Sequence, residues 1–313
     1  MRKVLKNTEV FSEANEKPRG APWRFCGGGA NFRLGCPLLK NHRFIFALVA
    51  ATGLMLVAWR VRWWIRMSRR PAPERDAPLA ERNRRFYDAL WEKAELIAPS
   101  RFNTWPLVRE LASPAPERLE IGPGLRPRLP IVGTQFVDLS TRAVDKLRRA
   151  GGIATTGTVT ALDFSDESFD LVCALDIIEH VGDDLAAFSE LARVTRPGGV
   201  LLISVPLHAG NWTAFDDLVG HGRRYEPAEI VKRLEEGGFE IERSAVYGMQ
   251  PRSPRLTDFG IRCLVRRPER AVWYWSRIFM PLGIWFQSRL RVQPGLIDLQ
   301  GVDEAIFVCR KRA

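Results

Sequence analysis

In the stretch RLEIGPGLRP an acidic residue, Glu120, precedes two closely spaced glycines, Gly122 and Gly124, with Pro123 between them. Glycine lacks a Cβ, so the backbone there can take positive φ and lie directly against a ligand. Eighteen residues after Glu120, Asp138 closes the apolar run QFVD just ahead of Leu139. A carboxylate so placed can accept from both hydroxyls of a ribose, as does the acid about 20 residues beyond a dinucleotide-binding glycine turn. The third glycine of that turn is absent, with Pro127 standing in its place. The expected ligand is therefore a nucleoside without a pyrophosphate.

A second chemically rich stretch is TALDFSDESFDLVCALDIIEHV, which carries Leu162, Asp163 and Phe164, then Leu175, Asp176, Glu179 and His180. Two carboxylates and an imidazole in the pattern DxxEH can ligate a divalent metal. They can equally hydrogen-bond the start of a following helix, and no metal is expected. His221, in VGHGRRYEP, is the first candidate general base and His208, in SVPLHAG, the second, because an imidazole titrates near neutrality. Arg223 and Arg224 can hold an anionic group, or with His221 and Tyr225 they can fasten their own loop.

These residues need a scaffold that brings strand ends together. Short apolar runs at 118–121, 135–138, 158–162, 170–175, 200–205, 240–246 and 304–309 alternate with helical patterns near 141–150, 183–194 and 227–237. Such alternation predicts an α/β fold, a doubly wound sheet covered on both faces. An amphipathic helix is expected over 81–97 and a second over 106–111, capped by Asn103. The aromatic stretch 251–301 interrupts the alternation as an insertion before the last strand.

With RPGGVLLISVP at 196–206, these motifs resemble the class I S-adenosylmethionine-dependent methyltransferases, of the type-11 domain kind, and within them the small-molecule group that includes quinone-biosynthesis enzymes. The resemblance covers roughly residues 84–250 and the terminal strand. It implies a Rossmann-like sheet of seven strands, mostly parallel, with the strand at 304–309 antiparallel. It also implies S-adenosylmethionine as cofactor. Glu120 would organise the methionine ammonium, with Gly122, Pro123 and Gly124 under the amino-acid portion. Asp138 would take the ribose hydroxyls, with Leu139 beside it. Asp163 would accept from the adenine amino group, Leu162 and Phe164 would pack by the ring, and Leu175 would line the sulfonium side. The segment holding His221 would serve as a substrate lid.

Charge and composition narrow the function. Residues 1–80 hold 15 basic and 5 acidic side chains, 81–250 hold 20 and 26, and 251–313 hold 12 and 5, so the net +11 divides into +10, −6 and +7. An acidic middle argues against a nucleic-acid partner despite a pI of 9.9. The basic ends accompany aromatic apolar runs, which suits an anionic membrane surface. Five cysteines without metal spacing fit a reduced, cytoplasmic setting, with Cys173 and Cys309 as small core residues.

Residues 1–66 read as an N-terminal extension. Within it, 44–59 is a charge-free run at the lower limit for a membrane span, and the arginines that follow would keep the domain on the inner face. A biological start at Met55 or Met67 is the competing reading. Residues 67–80 form a Pro-rich linker and 81–313 the catalytic domain. In the insertion, Trp273, Trp275, Phe279, Leu282, Ile284, Trp285 and Phe286 can cover a lipophilic acceptor or sit in a membrane interface, with Arg277, Arg289 and Arg291 at headgroup level, or pack on the sheet as a hairpin. The expected activity is O- or C-methylation of a small, lipid-like molecule. The alternative is a non-catalytic module of the same fold tethered at a membrane.

Overall fold

The computed structural model describes residues 79–248 and 280–313, together with Met55, Tyr274 and Arg277. The chain divides into two units, Met1–Trp59 and Arg60–Ala313, and all the elements below belong to the second. The apolar run 44–59, both proposed starts (save Met55 itself) and most of the insertion, Trp273, Trp275 and Phe279 included, lie outside the described residues. Among the described residues no helix is long and apolar enough to cross a membrane.

The elements in chain order are α1 (Leu79–Lys93), α2 (Trp105–Ala112), β1 (Arg118–Ile121), β2 (Thr134–Asp138), α3 (Thr141–Arg149), β3 (Ile153–Thr156), β4 (Phe169–Leu175), α4 (Asp184–Val194), β5 (Thr195–Pro206), α5 (Ala214–Val219), α6 (Pro227–Glu236), β6 (Phe239–Val246), α7 (Met280–Phe286), β7 (Gln293–Pro294) and β8 (Glu304–Lys311). They build one sheet in the order β3-β2-β1-β4-β5-β8-β6-β7. Strands β1 to β5 pair in parallel, whereas β8 runs antiparallel to both β5 and β6.

Side chains alternate across a strand, and here both faces are buried. On one face Leu119, Val172, Leu201, Ile203 and Phe307 meet Phe188 and Leu191 of α4 and Ile230 and Leu234 of α6. On the other, Leu171, Cys173, Leu202, Ile306 and Val308 meet Leu107, Val108 and Leu111 of α2. Cys173 and Cys309 are buried free thiols within these layers. The fold is the expected doubly wound α/β sheet with an antiparallel strand ahead of the terminus.

Three expectations change. The sheet has eight strands rather than seven, because Gln293 and Pro294 at the end of the insertion pair with Ser244 and Arg243. A two-residue strand has no alternation to detect. The third strand is Ile153–Thr156, not 158–162; it is an edge strand in which only Ala154 is buried, so its apolar signal is faint. Residues 158–162 form a turn closed by a bridge between Thr158 and Ala161, with Val159 and Leu162 turned into the core. Asn103 does not cap α2. Its N–H donates to Gln287 Oε1 at 2.9 Å and its Nδ2 to the Ser288 carbonyl at 2.8 Å, which ties the end of the insertion to the body of the domain.

Candidate functional site

Strand order reverses between β1 and β4, the place where open α/β sheets bind ligands at the strands' carboxyl ends. Gly122 and Gly124 lie in the turn that leaves β1, both at positive φ (64° and 53°). The turn is held at both ends. Gly122 N–H donates to the Val137 carbonyl at 2.7 Å, and Gly124 N–H to Asp138 Oδ2 at 2.7 Å. Asp138 Oδ1 accepts from Ser140 N–H at 2.8 Å, so one carboxylate, 6% exposed, joins the glycine turn to the start of α3. Burial pushes its pKa up to about 6 against the pull of those two donors.

Glu120 is the other clamp. Only 2% exposed, it accepts from the Arg128 N–H at 2.8 and 3.1 Å and from the Leu129 N–H at 2.9 Å. Burial raises it to about 7, opposed by those backbone donors. Its oxygens serve the loop backbone and so set the shape of the turn.

Both glycines are packed from above. A Cβ on Gly122 would overlap Ile177, and one on Gly124 would fall 2.6 Å from Trp91 Cε2. Trp91 belongs to α1, which lies across the site. Asn83 of that helix donates to the carbonyls of His180 and Gly220, each at 3.3 Å, and Asp88 accepts from Ser140 Oγ at 2.6 Å. Lys146 on α3 holds the end of α1 through the carbonyls of Trp91 and Ala94. The glycine loop also carries two arginines. The Arg126 guanidinium stands 5.3 Å above the Trp91 ring, its pKa drawn down to about 10 by burial, and that of Arg128 lies 3.6 Å above Phe102 while donating to Tyr247 Oη.

After β3, Leu162 is buried, Phe164 packs edge-on against Phe169, and Asp163 is exposed. Glu190 accepts from Leu162 N–H, and Arg193 donates to the carbonyls of Leu162 and Phe164, so α4 fixes this stretch at the sheet's carboxyl edge. Leu139 and Leu175 are half-buried at the ends of β2 and β4, and Pro123 is buried within the turn.

The two histidines separate. His221 Nδ1 lies 2.8 Å from Asp216 Oδ1, and its Nε2 lies 3.8 Å from Glu179 Oε1. Its ring meets that of His180 edge to face at 4.7 Å. Burial and the neighbouring His221 ring hold His180 neutral, its pKa drawn down to about 3. His208 instead faces the Leu299 carbonyl at 2.9 Å and lines a groove of about 620 Å³ with Pro227, Val231 and Lys232, away from the glycine turn. Arg223 donates to the carbonyls of Val181 and Gly182 and pairs with Asp184. Arg224 is buried between Asp216 and Asp303. Both arginines fasten the loop and are not free to hold an anionic substrate.

Sequence reasoning passed over Trp91, Arg126, Arg128, Ile177 and Asp216. The arginines were visible in the glycine loop itself, and Thr213 followed three residues later by Asp216 spells a capping box. For Trp91 only its place on an apolar helical stripe was visible.

Residues 131–203 match the model of a family described as methyltransferase domain. A probable S-adenosylmethionine-dependent methyltransferase of Mycolicibacterium smegmatis is 38% identical over 90 residues, 28% of this chain and 34% of that protein. A demethylmenaquinone methyltransferase of Beutenbergia cavernae is 30% identical over 147 residues, 42% of this chain and 53% of that protein. The chain thus spans between a third and about half of the length of these curated relatives. Among solved structures, a methyltransferase of Thermotoga maritima described as a possible histamine N-methyltransferase superposes with a TM-score of 0.47 at 16% identity, over 74% of this chain and 94% of that one. From the family match and the two curated relatives, residues 131–203 carry a methyltransferase domain similar to those of S-adenosylmethionine-dependent methyltransferases.

Proposed function

We propose that this protein transfers a methyl group from S-adenosylmethionine to a small lipophilic acceptor, at oxygen or carbon. The observation that carries the reading is the bridge at the switch point, where Asp138 holds Gly124 N–H and Gly122 and Gly124 take positive φ in the turn that leaves β1. The chemistry of Asp138 fits the cofactor: each of its oxygens uses one lone pair on a backbone N–H, leaving capacity for a ribose hydroxyl. Bound there, S-adenosylmethionine supplies an electrophilic methyl carbon on a sulfonium. Gly122, Pro123 and Gly124 would support its amino-acid portion, and Asp163, Leu162, Phe164 and Leu139 its nucleoside, with Leu175 on the sulfonium side.

Displacement at a sulfonium needs little covalent machinery from the protein. Alignment of acceptor and methyl carbon supplies up to about 7–11 kcal/mol in well-oriented systems. The roof formed by α1 and the packing of Trp91 and Ile177 on the turn serve that alignment and exclude water. A proton lost by the acceptor would leave through His221, the first candidate base, whose Nδ1 is held by Asp216.

The lipophilic acceptor is supported by the insertion, where Ile284 of α7 packs on Phe102 while Trp285 and Phe286 stand 80% and 78% exposed. It is supported also by the names of the quinone-pathway relatives, among them a ubiquinone/menaquinone biosynthesis C-methyltransferase of Bdellovibrio bacteriovorus, 39% identical over 77 residues, 23% of this chain and 32% of that protein. Exposed aromatics beside Arg289 and Arg291 suit the headgroup region of an anionic bilayer, which favours the cytoplasmic domain working at the inner face of a membrane.

Calorimetric titration of S-adenosylhomocysteine tests the cofactor site. Asp138→Ala removes two charge-assisted hydrogen bonds to the ribose, at about 1.5–3 kcal/mol each, and is expected to weaken binding by more than about 100-fold. No binding by the folded wild type would favour the non-catalytic module.

A further inference from the structure

The glycine loop carries two cations that the turn itself does not use. Arg126 and Arg128 follow Gly124 closely in the chain and are both half-buried. The Arg126 guanidinium stands over the Trp91 ring and that of Arg128 over the Phe102 ring, with one N–H of Arg128 donating to Tyr247 Oη at 3.2 Å. We propose that Arg126 and Arg128 form a binding site for a carboxylate carried by the lipophilic acceptor. The word acceptor rests on the methyltransferase reading; the anion site does not.

Among the described residues no carboxylate pairs with either guanidinium, whose contacts are the two aromatic rings and the Tyr247 hydroxyl. An aromatic face attracts a cation but does not neutralise it. Of the five N–H donors of Arg128, the phenol takes one. By contrast, Arg193, Arg223, Arg224 and Arg310 each meet a carboxylate. Cations held this close to the core without a counter-ion are unfavourable, and an incoming anion removes that cost.

The acids whose charge reaches the pair, Asp176 at Arg126 and Glu120 at Arg128, are engaged elsewhere. Asp176 Oδ1 accepts from Ser204 Oγ at 2.5 Å, and Glu120 accepts from the backbone N–H groups of Arg128 and Leu129. Burial, and after it the charge of Arg128, draws Arg126 down only to about 10, so it stays cationic at neutral pH. Neighbouring cations that repel one another are what a shared anion holds together.

A guanidinium offers its N–H groups as a planar fork that matches a carboxylate, which makes arginine the residue suited to this anion. The surroundings of Arg128 point to the acceptor rather than to the cofactor's own carboxylate. Phe102, beneath its guanidinium, packs on Ile284 of α7, and Tyr247 directly follows β6, where the insertion begins. The charged end of a ligand held here therefore adjoins the apolar surface on which the lipophilic-acceptor reading rests. Arg223 and Arg224, the arginines expected to hold such a group, are taken by Asp184, Asp216 and Asp303. The ligand class is an amphipathic acid.

Calorimetry on the full-length protein compares decanoate with its uncharged amide in the presence of S-adenosylhomocysteine, whose own binding is measured on the same samples. The wild type is expected to prefer decanoate by at least about tenfold, the worth of one charge-assisted hydrogen bond. Arg126→Gln and Arg128→Gln should lose most of that preference, Arg126→Lys should keep part of it, and Arg149→Gln, at an exposed arginine of α3, should keep all of it. Equal affinity of the wild type for acid and amide, or no binding of decanoate, overturns the site, as does a preference that survives in both glutamine variants. A loss of S-adenosylhomocysteine affinity beyond about fivefold in a glutamine variant with an unchanged circular dichroism spectrum overturns it too, by giving the arginines to the cofactor. If the glutamine variants do not fold, the acid-to-amide ratios of the wild type and Arg126→Lys decide, and equal ratios in those two overturn it. A preference for decanoate in a wild type that binds no S-adenosylhomocysteine sustains the anion site and removes the methyltransferase reading instead.

Discussion

Replacing Gly124 with alanine tests whether the glycine turn is shaped by the helix above it. Two separate penalties follow from the structure. At φ 53° an L-residue pays about 1–2 kcal/mol for the left-handed conformation. The new methyl group would also fall 2.6 Å from Trp91 Cε2 in a closely packed corner, and overpacking of this kind costs about 1–3 kcal/mol. Gly124→Ala should therefore destabilise the protein by about 2–5 kcal/mol. Trp91→Ala, at a side chain 6% exposed, should cost about 3–5 kcal/mol by itself. In the double variant the clash is gone while the backbone penalty stays, so the pair should be less unstable than the sum by about 1–3 kcal/mol. Urea unfolding followed by circular dichroism gives all four corners of the cycle. Additivity within about 0.5 kcal/mol would refute the contact between the turn and α1.

Two further outcomes follow from buried charge. Glu120 is raised from 4.5 to about 7, so between those values the folded state keeps a proton that the unfolded chain has lost. Stability should fall as pH rises through that window, by up to about 3 kcal/mol, and the slope should flatten in Glu120→Gln; urea midpoints at pH 5 and pH 8 that rise instead would contradict it. Asp138, raised from 3.8 to about 6, adds to the fall with the same sign. Arg224, 5% exposed, loses its bidentate partner in Asp216→Ala, which should cost about 3 kcal/mol by chemical denaturation, with much of it recovered when Arg224→Met is added. A loss under about 1 kcal/mol would mean that Asp303 alone neutralises the guanidinium.

The doubly wound sheet was legible because β1, β2, β4, β5 and β8 are nearly continuous apolar runs separated by helical periods. Asp138 was legible as the acid closing the second run, whereas its bridge to Gly124 was not, because a backbone N–H donor has no sequence signature. Where burial is one-sided or an element is very short, the pattern fades, as in Ile153–Thr156 and Gln293–Pro294. What Glu120 grips was hidden for a different reason. Its partners are backbone N–H groups at Arg128 and Leu129, and backbone donors have no sequence signature. Trp91 reaches Gly124 only through the tertiary packing of α1, and Asn103 finds Gln287 and Ser288 across an insertion that local capping rules do not see. The pairing of His221 with Glu179 and His180 depends on the fold of the loop after α5, which the spacing of the three residues does not reveal.

A crystal structure of the full-length protein grown with S-adenosylhomocysteine tests the central claim most directly. The account predicts both ribose hydroxyls within hydrogen-bond distance of the Asp138 carboxylate, with the amino-acid portion lying on the backbone of Gly122 and Gly124. Ligand density elsewhere, or an Asp138 carboxylate that makes only its present bonds to Gly124 and Ser140 while the ligand is bound, would contradict it.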